Sequence, residues 1–345
     1  MKQNINWGII GLGNIALKFA QAFKDVDNAK LLGIASKNIQ KLENFRQLFK
    51  IENQFCFNEY NNLLDCKHID AIYIALPNAL HHEWIIKCIE KKKNILVEKP
   101  ATLNFAEIVN IQKKLINKKI FFAEGFMYRH HPQMIKLIEL MKKKIIGMPL
   151  SMESSFGVNL VTKKNFFGFK KKKKINETNR IYNKELGGGA ILDLGCYTTS
   201  ISILIASLIK DIDYNEIKIV KKRKEIGPTK VDIDSFAELR FDNEFSSFVS
   251  ASFTKDLGKM TKIIGTEGEL IIQNSWDANI GIMKVKEKKE YTININLKKN
   301  IFSYEIQNIS ESIINNKVEA EYPAMTLSDT LLNAKILDDW LNDKK

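Results

Sequence analysis

Apolar residues in the first 120 positions come in short, nearly unbroken runs, each followed by a stretch with helical spacing. INWGIIG (5–11) leads into ALKFAQAFKDV, and LLGIAS (31–36) into NIQKLENFRQLF. AIYIALPN (71–78) precedes HHEWIIKCIEKKK, and NILVE (94–98) precedes a helical stretch over about 104–117. This alternation predicts βαβ units in a parallel sheet. Runs without polar alternates predict strands covered on both faces.

The pattern then changes. After a predicted helix over 132–143 come PLSMESSF, IKIVKK, SFAELRF, EFSSFVSASF, KMTKIIG and GELIIQ. EFSSFVSASF sets Phe245, Val249, Ala251 and Phe253 on one face and Ser246, Ser250 and Ser252 on the other. A mainly antiparallel sheet with one face on the core is expected, its other face solvated or an oligomer interface. MTLSDTLLNAKILDDWL predicts a helix over about 326–342, begun by Thr326 or Ser328. The expected fold is α/β: a Rossmann dinucleotide-binding domain over 1–122, then a substrate-binding and oligomerisation domain over 123–345 with a large open-faced sheet.

Composition narrows the function. With 345 residues, two domains are expected rather than one core. Fifty-three basic and 40 acidic residues give a net charge of +13. The lysines are spread through the chain among Ile and Asn, with no aromatic-interleaved basic patch, so no nucleic-acid partner is expected. The run Lys170 to Lys174 is expected to be a solvated loop. No apolar run approaches the roughly 18 residues of a membrane span, and no signal-peptide core precedes the first strand. A soluble, cytoplasmic protein without a membrane partner is expected. Cys56, Cys66, Cys88 and Cys196 are scattered, which suggests neither a disulfide framework nor a metal site.

Gly11-Leu12-Gly13-Asn14-Ile15-Ala16 fits G-x-G-x-x-G/A between a strand and a helix. Gly11 permits the tight turn, Gly13 admits a pyrophosphate, and Ala16 allows close helix packing. About 20 residues on, an acid would bind a ribose 2′-hydroxyl. Ser36-Lys37-Asn38 stands there instead, which suits a 2′-phosphate and favours NADP, with NAD possible. Pro77, Asn78, Glu98 and Lys99 fall at carboxyl ends of parallel strands, where ligands bind. Pro100 restrains the backbone of Lys99. After Gly187-Gly188-Gly189 a helix is predicted, with Asp193 and Tyr197 one turn apart on one face. They are either a reacting pair or a buried hydrogen-bonded tie.

GLGNIA, AIYIALPNALHHEW, VEKP, EGFMYRHHP and LGGGAILDLGCY stand in an order and spacing that resemble the Gfo/Idh/MocA oxidoreductases. Many members carry histidine where this chain has Tyr197. Tyrosine is similar to the branch containing dihydrodiol dehydrogenase, xylose dehydrogenase and glucose–fructose oxidoreductase. The resemblance implies hydride transfer between the nicotinamide of NAD(P) and a secondary alcohol or carbonyl of a sugar-like or cyclic diol substrate. It places Lys99 near the nicotinamide and the reacting hydroxyl. Tyrosine's ordinary pKa of about 10 is too high for an efficient base at neutrality, and a nearby ammonium lowers it. Tyr197 is therefore the expected acid/base, with Lys99 as electrostatic partner and Asp193 orienting. The reverse, with Lys99 carrying the proton, stays open. His81 matches the family's PN-x2-H, as a cofactor-cleft residue or a satisfied structural one. Arg129 and His130 are expected on the substrate side, or else as a surface pair at a helix start. The alternating strand at 245–253 suggests a homodimer through the second sheet. Rival readings are a non-catalytic dinucleotide sensor, against which the intact Lys99, Asp193 and Tyr197 argue, and a sugar-nucleotide dehydrogenase using NAD.

Overall fold

A computed structural model describes residues 4–164, 170–173, 175–242, 244–276, 281–287, 289–295 and 298–342. The chain divides into two compact units: Met1–His131 with Lys298–Leu331, and Pro132–Leu297 with Leu332–Lys345. The second stretch of the first unit lies far beyond the single cut at residue 122 expected from the sequence.

The first unit begins with β1 (Ile5–Ile10), α1 (Asn14–Ala22), β2 (Ala29–Ala35), α2 (Ile39–Phe49), β3 (Cys56–Phe57) and α3 (Tyr60–Asp65). It continues with β4 (Ala71–Ile74), α4 (His81–Glu90), β5 (Asn94–Glu98), α5 (Phe105–Leu115) and β6 (Phe122–Gly125). The six strands are parallel in the order β3-β2-β1-β4-β5-β6. β4 and the middle of β5 are wholly buried, as strands between helical layers must be.

The second unit contains α6 (Pro132–Lys142), β7 (Pro149–Gly157), β8 (Thr162–Lys164), β9 (Lys170–Lys172) and α7 (Cys196–Ala206). Then follow β10 (Ile217–Ile226), β11 (Asp232–Phe241), β12 (Phe245–Ser252), β13 (Thr261–Gly265), β14 (Glu269–Ile272), β15 (Gly281–Lys286) and β16 (Glu290–Ile295). Eight strands form one sheet in the order β10-β11-β12-β7-β13-β14-β15-β16, antiparallel except for β12 beside β7. β12 alternates: Phe245, Ser247, Val249 and Ala251 are buried, while Ser246, Phe248 and Ser250 are half-exposed. Ser252, expected outside, is buried, and its hydroxyl accepts from the amides of Thr254 and Lys255. The lysine run, expected as a loop, supplies β9, which pairs with β8; Lys174 lies outside the described residues.

The last elements are α8 (Ile301–Ile314) and α9 (Leu327–Leu341). α8 belongs to the first unit and buries Phe302, Ile306 and Ile309 in the same core as Trp7 and Phe19. Each such side chain contributes about 1.5–3 kcal/mol. Trp7 Nε1 donates to Ser310 Oγ at 2.9 Å, which satisfies the indole of a fully buried ring. In the second unit, the ammonium groups of Lys222 and Lys224 on β10 donate to the Asp339 and Leu341 carbonyls at the end of α9. Cations at a helix C-terminus hydrogen-bond its last carbonyls and complement the helix dipole. Among the described residues no helix is long and apolar enough to cross a membrane.

Candidate active site

In the first unit the strand order reverses beside β1, which opens a crevice past the carboxyl ends of β1 and β4. Gly11 lies there with φ +87°, and a Cβ on it would sit 2.6 Å from the Ala75 carbonyl oxygen. The fold itself demands that glycine. Gly13 is different: a Cβ on it would meet nothing within 4 Å. Packing does not call for glycine at 13, whereas close approach by a pyrophosphate does. Gly13 precedes α1, whose first turn has no side-chain cap and no acid. The amides of Gly13, Asn14 and Ile15 therefore suit the diphosphate of a dinucleotide.

At the end of β2, Ser36 is buried and its hydroxyl accepts from the Asn38 amide at 3.1 Å. Asn38 Oδ1 accepts from the Lys41 amide at 2.9 Å and so caps α2. Lys37, between them, is exposed.

The Glu98–Ala101 segment at the end of β5 is held residue by residue. Tyr73 donates its hydroxyl hydrogen to Glu98 Oε1, and the Lys99 amide donates to Glu98 Oε2 at 3.3 Å. The imidazole of His81 is buried, with Nδ1 2.8 Å from the Pro100 carbonyl oxygen and Nε2 2.9 Å from that of Leu76. His81 thus joins the Pro77–Asn78 turn to the Lys99–Pro100 turn through backbone. The Ala101 amide donates to Glu124 Oε1 at 2.8 Å. Lys99 itself is half-buried, Pro77 half-buried and Asn78 buried.

Acids are gathered behind this segment. Burial pushes Glu124 up to about 7, against the opposing pull of the Ala101 amide, the Thr330 hydroxyl, Arg129 and Lys99. Thr330 lies near Glu124 but beyond an ordinary hydrogen bond. Glu305 of α8 is pushed well above the usual carboxyl range by burial and then by Glu98. Its Oε1 lies 3.7 Å from where a Gly125 Cβ would be, an ordinary van der Waals distance.

Arg129 and His130 lie inside the first unit. The Arg129 guanidinium is fully buried, 3.0 Å from the Pro323 carbonyl oxygen and 3.5 Å from Asp329 Oδ2. His130 is buried beside Asn308 and pushed down to about 3 by burial and by Arg129. They are not the surface pair that one reading of the sequence expected.

In the second unit, the glycine run serves the fold. A Cβ on Gly188 would lie 2.7–2.8 Å from three carbonyl oxygens, and one on Gly189 (φ +121°) would collide with Asp232 Oδ1. Asp232 is buried, and its Oδ2 accepts from the Ile191 amide at 2.7 Å and from Ser235 Oγ at 3.3 Å. Burial pushes its carboxyl up to about 6 despite those donors. The next residues, Ile191–Gly195, wind as a π-turn before α7, where a plain α-helix was expected. Such turns recur at functional sites. Asp193 lies on that turn, 3.1 Å from Arg180 Nη1. Tyr197 opens the following helix and is 6 % exposed, its ring edge-on to Phe156 and tilted against Trp276, with both centroids 5.4 Å away.

No motif in the sequence singles out Tyr60, Tyr73, Glu124, Glu305, Arg180, Asp232, Phe156 or Trp276. A carboxylate inside the apolar stretch IFFAEGF was a usable sign for Glu124. The others have no local signal. Among the described residues no group of His, Cys, Asp and Glu could hold a metal ion.

A parallel sheet in this order, with a glycine turn open to a pyrophosphate, defines a dinucleotide-binding domain of the Rossmann type. The chain belongs to the Gfo/Idh/MocA family: residues 5–126 match its oxidoreductase domain with NAD-binding Rossmann fold, and residues 134–271 match its C-terminal domain. A trans-1,2-dihydrobenzene-1,2-diol dehydrogenase of Xenopus laevis is 26% identical over 343 residues, 97% of this chain and 96% of that protein. A 3-ketoreductase from Actinomadura kijaniata, solved with NADP and TDP-benzene, superposes with a TM-score of 0.82 at 20% identity, over 97% of this chain and 96% of that one. An aldose–aldose oxidoreductase from Caulobacter crescentus, solved with glycerol, does so at 0.81 and 16%, with the same coverage.

Proposed function

We propose that the enzyme moves hydride between NADP(H) and a secondary alcohol or carbonyl carbon of a sugar-like or cyclic diol substrate. The observation that carries this is the residue-by-residue fastening of Glu98–Ala101 at the strand edge where a dinucleotide binds. A segment so fixed presents Lys99 in one place, as a reacting centre requires. NADP would supply the hydride acceptor. Tyr197 takes or returns the hydroxyl proton, Lys99 supplies positive charge that favours the ionised oxygen, and Asp193 orients the substrate. His81 acts by joining the two turns, and Lys37 takes the 2′-phosphate. The relatives named as dihydrodiol dehydrogenase, aldose oxidoreductase and sugar ketoreductase support the substrate class.

Initial rates with NADP and NAD on aldoses, trans-dihydrodiols and dTDP-sugars test the proposal. Turnover is expected with at least one polyhydroxylated class, faster with NADP. No turnover with any, alongside tight NADPH binding, would favour the sensor reading. Lys99→Met and Tyr197→Phe should each lose a factor of roughly 10² or more, and the double variant little further, because groups acting on one substrate are strongly non-additive.

The second sheet supports a homodimer. Its half-exposed or exposed face joins Glu153 and Ser155 of β7, Phe236 of β11, Phe248 and Ser250 of β12, and Met260 around a hollow of about 320 Å³. Small polar residues beside scattered apolar ones suit a self-complementary contact. Light scattering should give twice the 39.7 kDa chain mass at micromolar concentration; the chain mass alone would remove this part of the proposal.

A further inference from the structure

We propose that Tyr60 determines cofactor specificity by holding the Lys37 side chain where a 2′-phosphate is met. The inference rests on the NADP reading above and adds to it a residue that nothing in the glycine motif or the strand ends announces.

Three strand ends converge at this corner of the first unit. Lys37 follows β2, Tyr60 opens α3 just after β3, and Trp84 lies in the first turn of α4 after β4. The Ser36 amide donates to the Phe57 carbonyl at 3.1 Å, and Ala35 pairs with Phe57. The backbone entering Lys37 is thereby fastened to β3, three residues before Tyr60. Lys37 Nζ stands 5.9 Å from the centroid of the Tyr60 ring, within the range of cation–π attraction. The ring is braced in turn: Trp84, buried, meets it edge-on at 5.0 Å between centroids. Lys87 covers Trp84 with Nζ 4.1 Å from its ring and pairs with Glu83 at 2.6 Å. The Tyr60 proton is held more tightly than in a free phenol, by burial and then the nearby Glu59, against the pull of the Lys37 amide. Lys37 therefore faces a neutral aromatic ring at working pH.

The physical effect is preorganisation. An exposed lysine loses rotamer freedom when it binds a phosphate, and a ring that already gathers the ammonium reduces that loss. A ligand without a 2′-phosphate gains nothing from it. Tyr60 should therefore act on one cofactor and not on the other.

Calorimetric titration of the intact protein with adenosine 2′,5′-bisphosphate and with adenosine 5′-monophosphate tests this without turnover. Tyr60→Leu should weaken the bisphosphate about three- to tenfold, the scale of one or two cation–π contacts, and leave the monophosphate within twofold. Tyr60→Phe, which keeps the ring, should stay near wild type. Lys37→Arg, which leaves Tyr60 in place, should bind the bisphosphate more tightly because a planar guanidinium stacks better. Equal loss for both ligands in Tyr60→Leu, loss for neither, or weaker bisphosphate binding in Lys37→Arg overturns the inference. Loss of selectivity in Lys37→Ala but not in Tyr60→Leu overturns it while sparing the NADP reading. Unchanged selectivity in Lys37→Ala removes the NADP reading, and this inference with it.

Discussion

The segment carrying Lys99 is held through its backbone: a buried imidazole bonds to the Pro100 carbonyl, the Glu124 carboxyl on β6 accepts from the Ala101 amide, and the segment's own Glu98 carboxyl accepts from the Lys99 amide. Tyr197 is held by the faces and edges of two aromatic rings, on a helix whose start is capped by a buried acid. A hydrogen-bonded turn tolerates changes of bulk nearby but not loss of an acceptor. A ring packed among rings tolerates a lost polar atom but not a cavity. The two regions should therefore fail under different substitutions.

The largest expected effect on stability is in the second. Trp276→Ala removes a side chain that is 3 % exposed, and should cost about 3–5 kcal/mol in denaturant unfolding of that unit. Trp276→Phe should recover most of it. Equal losses in the two variants would mean that packing volume is not what holds Tyr197.

Next comes the acid at the π-turn. The folded-state carboxyl of Asp232 is raised from 3.8 to about 6, so its contribution is most favourable below 3.8 and is lost as pH rises to about 6. At 1.36 kcal/mol per pH unit, the total is on the order of 3 kcal/mol. Asp232→Asn should remove this slope while still accepting from the Ile191 amide. The first unit carries the opposite sign as well. His130 and His131, held down to about 3 and about 4 mainly by burial, add stability as pH rises from those values towards 6.5. Unfolding at pH 4.5 and 7 should separate the two: the variant-minus-wild-type difference shifts with pH for Asp232→Asn and leaves the histidine slope in place.

A smaller loss is expected from Glu124→Ala, about 1–3 kcal/mol, because the Ala101 amide is left buried without its acceptor. Glu124→Gln should be nearly neutral. Turnover should fall in Glu124→Ala and recover in Glu124→Gln if the acid acts by fastening the Lys99 segment. The smallest stability effect is at the glycine turn. Gly13→Ala should melt like wild type, since its Cβ meets no protein atom, yet bind NADPH at least about tenfold more weakly. Gly11→Ala, strained at φ +87°, should unfold more readily. A Gly13→Ala protein with unchanged NADPH affinity would remove the case for a pyrophosphate there.

The pattern of legibility follows the range of the forces. β1, β2, β4 and β5 and the glycine turn depend on residues close in sequence, and they are visible there. α8 carries a helical apolar spacing of its own, Phe302, Ile306, Ile309 and Ile313, but its place in the first unit is set by distant partners, Trp7 for Ser310 and the Ala22 carbonyl for Ser303. β16 is the edge strand and buries none of its residues, and in β15 the buried Met283 and Val285 alternate with Lys284 and Lys286 over four residues only, a short signal. The π-turn hides for another reason: its capping acid lies 41 residues downstream of Ile191. The motif residues Lys99, in the first unit, and Asp193 and Tyr197, in the second, stand at element ends that the sequence marks. The groups that fasten them, Glu124, Trp276 and Asp232, are brought in by long-range folding. For His81 the sequence left two roles open, and the two backbone carbonyls on its ring speak for a fastening one.

In the proposed reaction Tyr197 carries the proton of an NADP-dependent hydride transfer. The direct measurement is kcat/KM of Tyr197→Phe across pH 6 to 10 on the best substrate from the panel, with NADPH binding followed by fluorescence quenching. The account predicts a fall of roughly 10² or more at every pH, with NADPH affinity unchanged. Near-wild-type turnover across that range would contradict it, and Lys99 would then be the group that moves the proton.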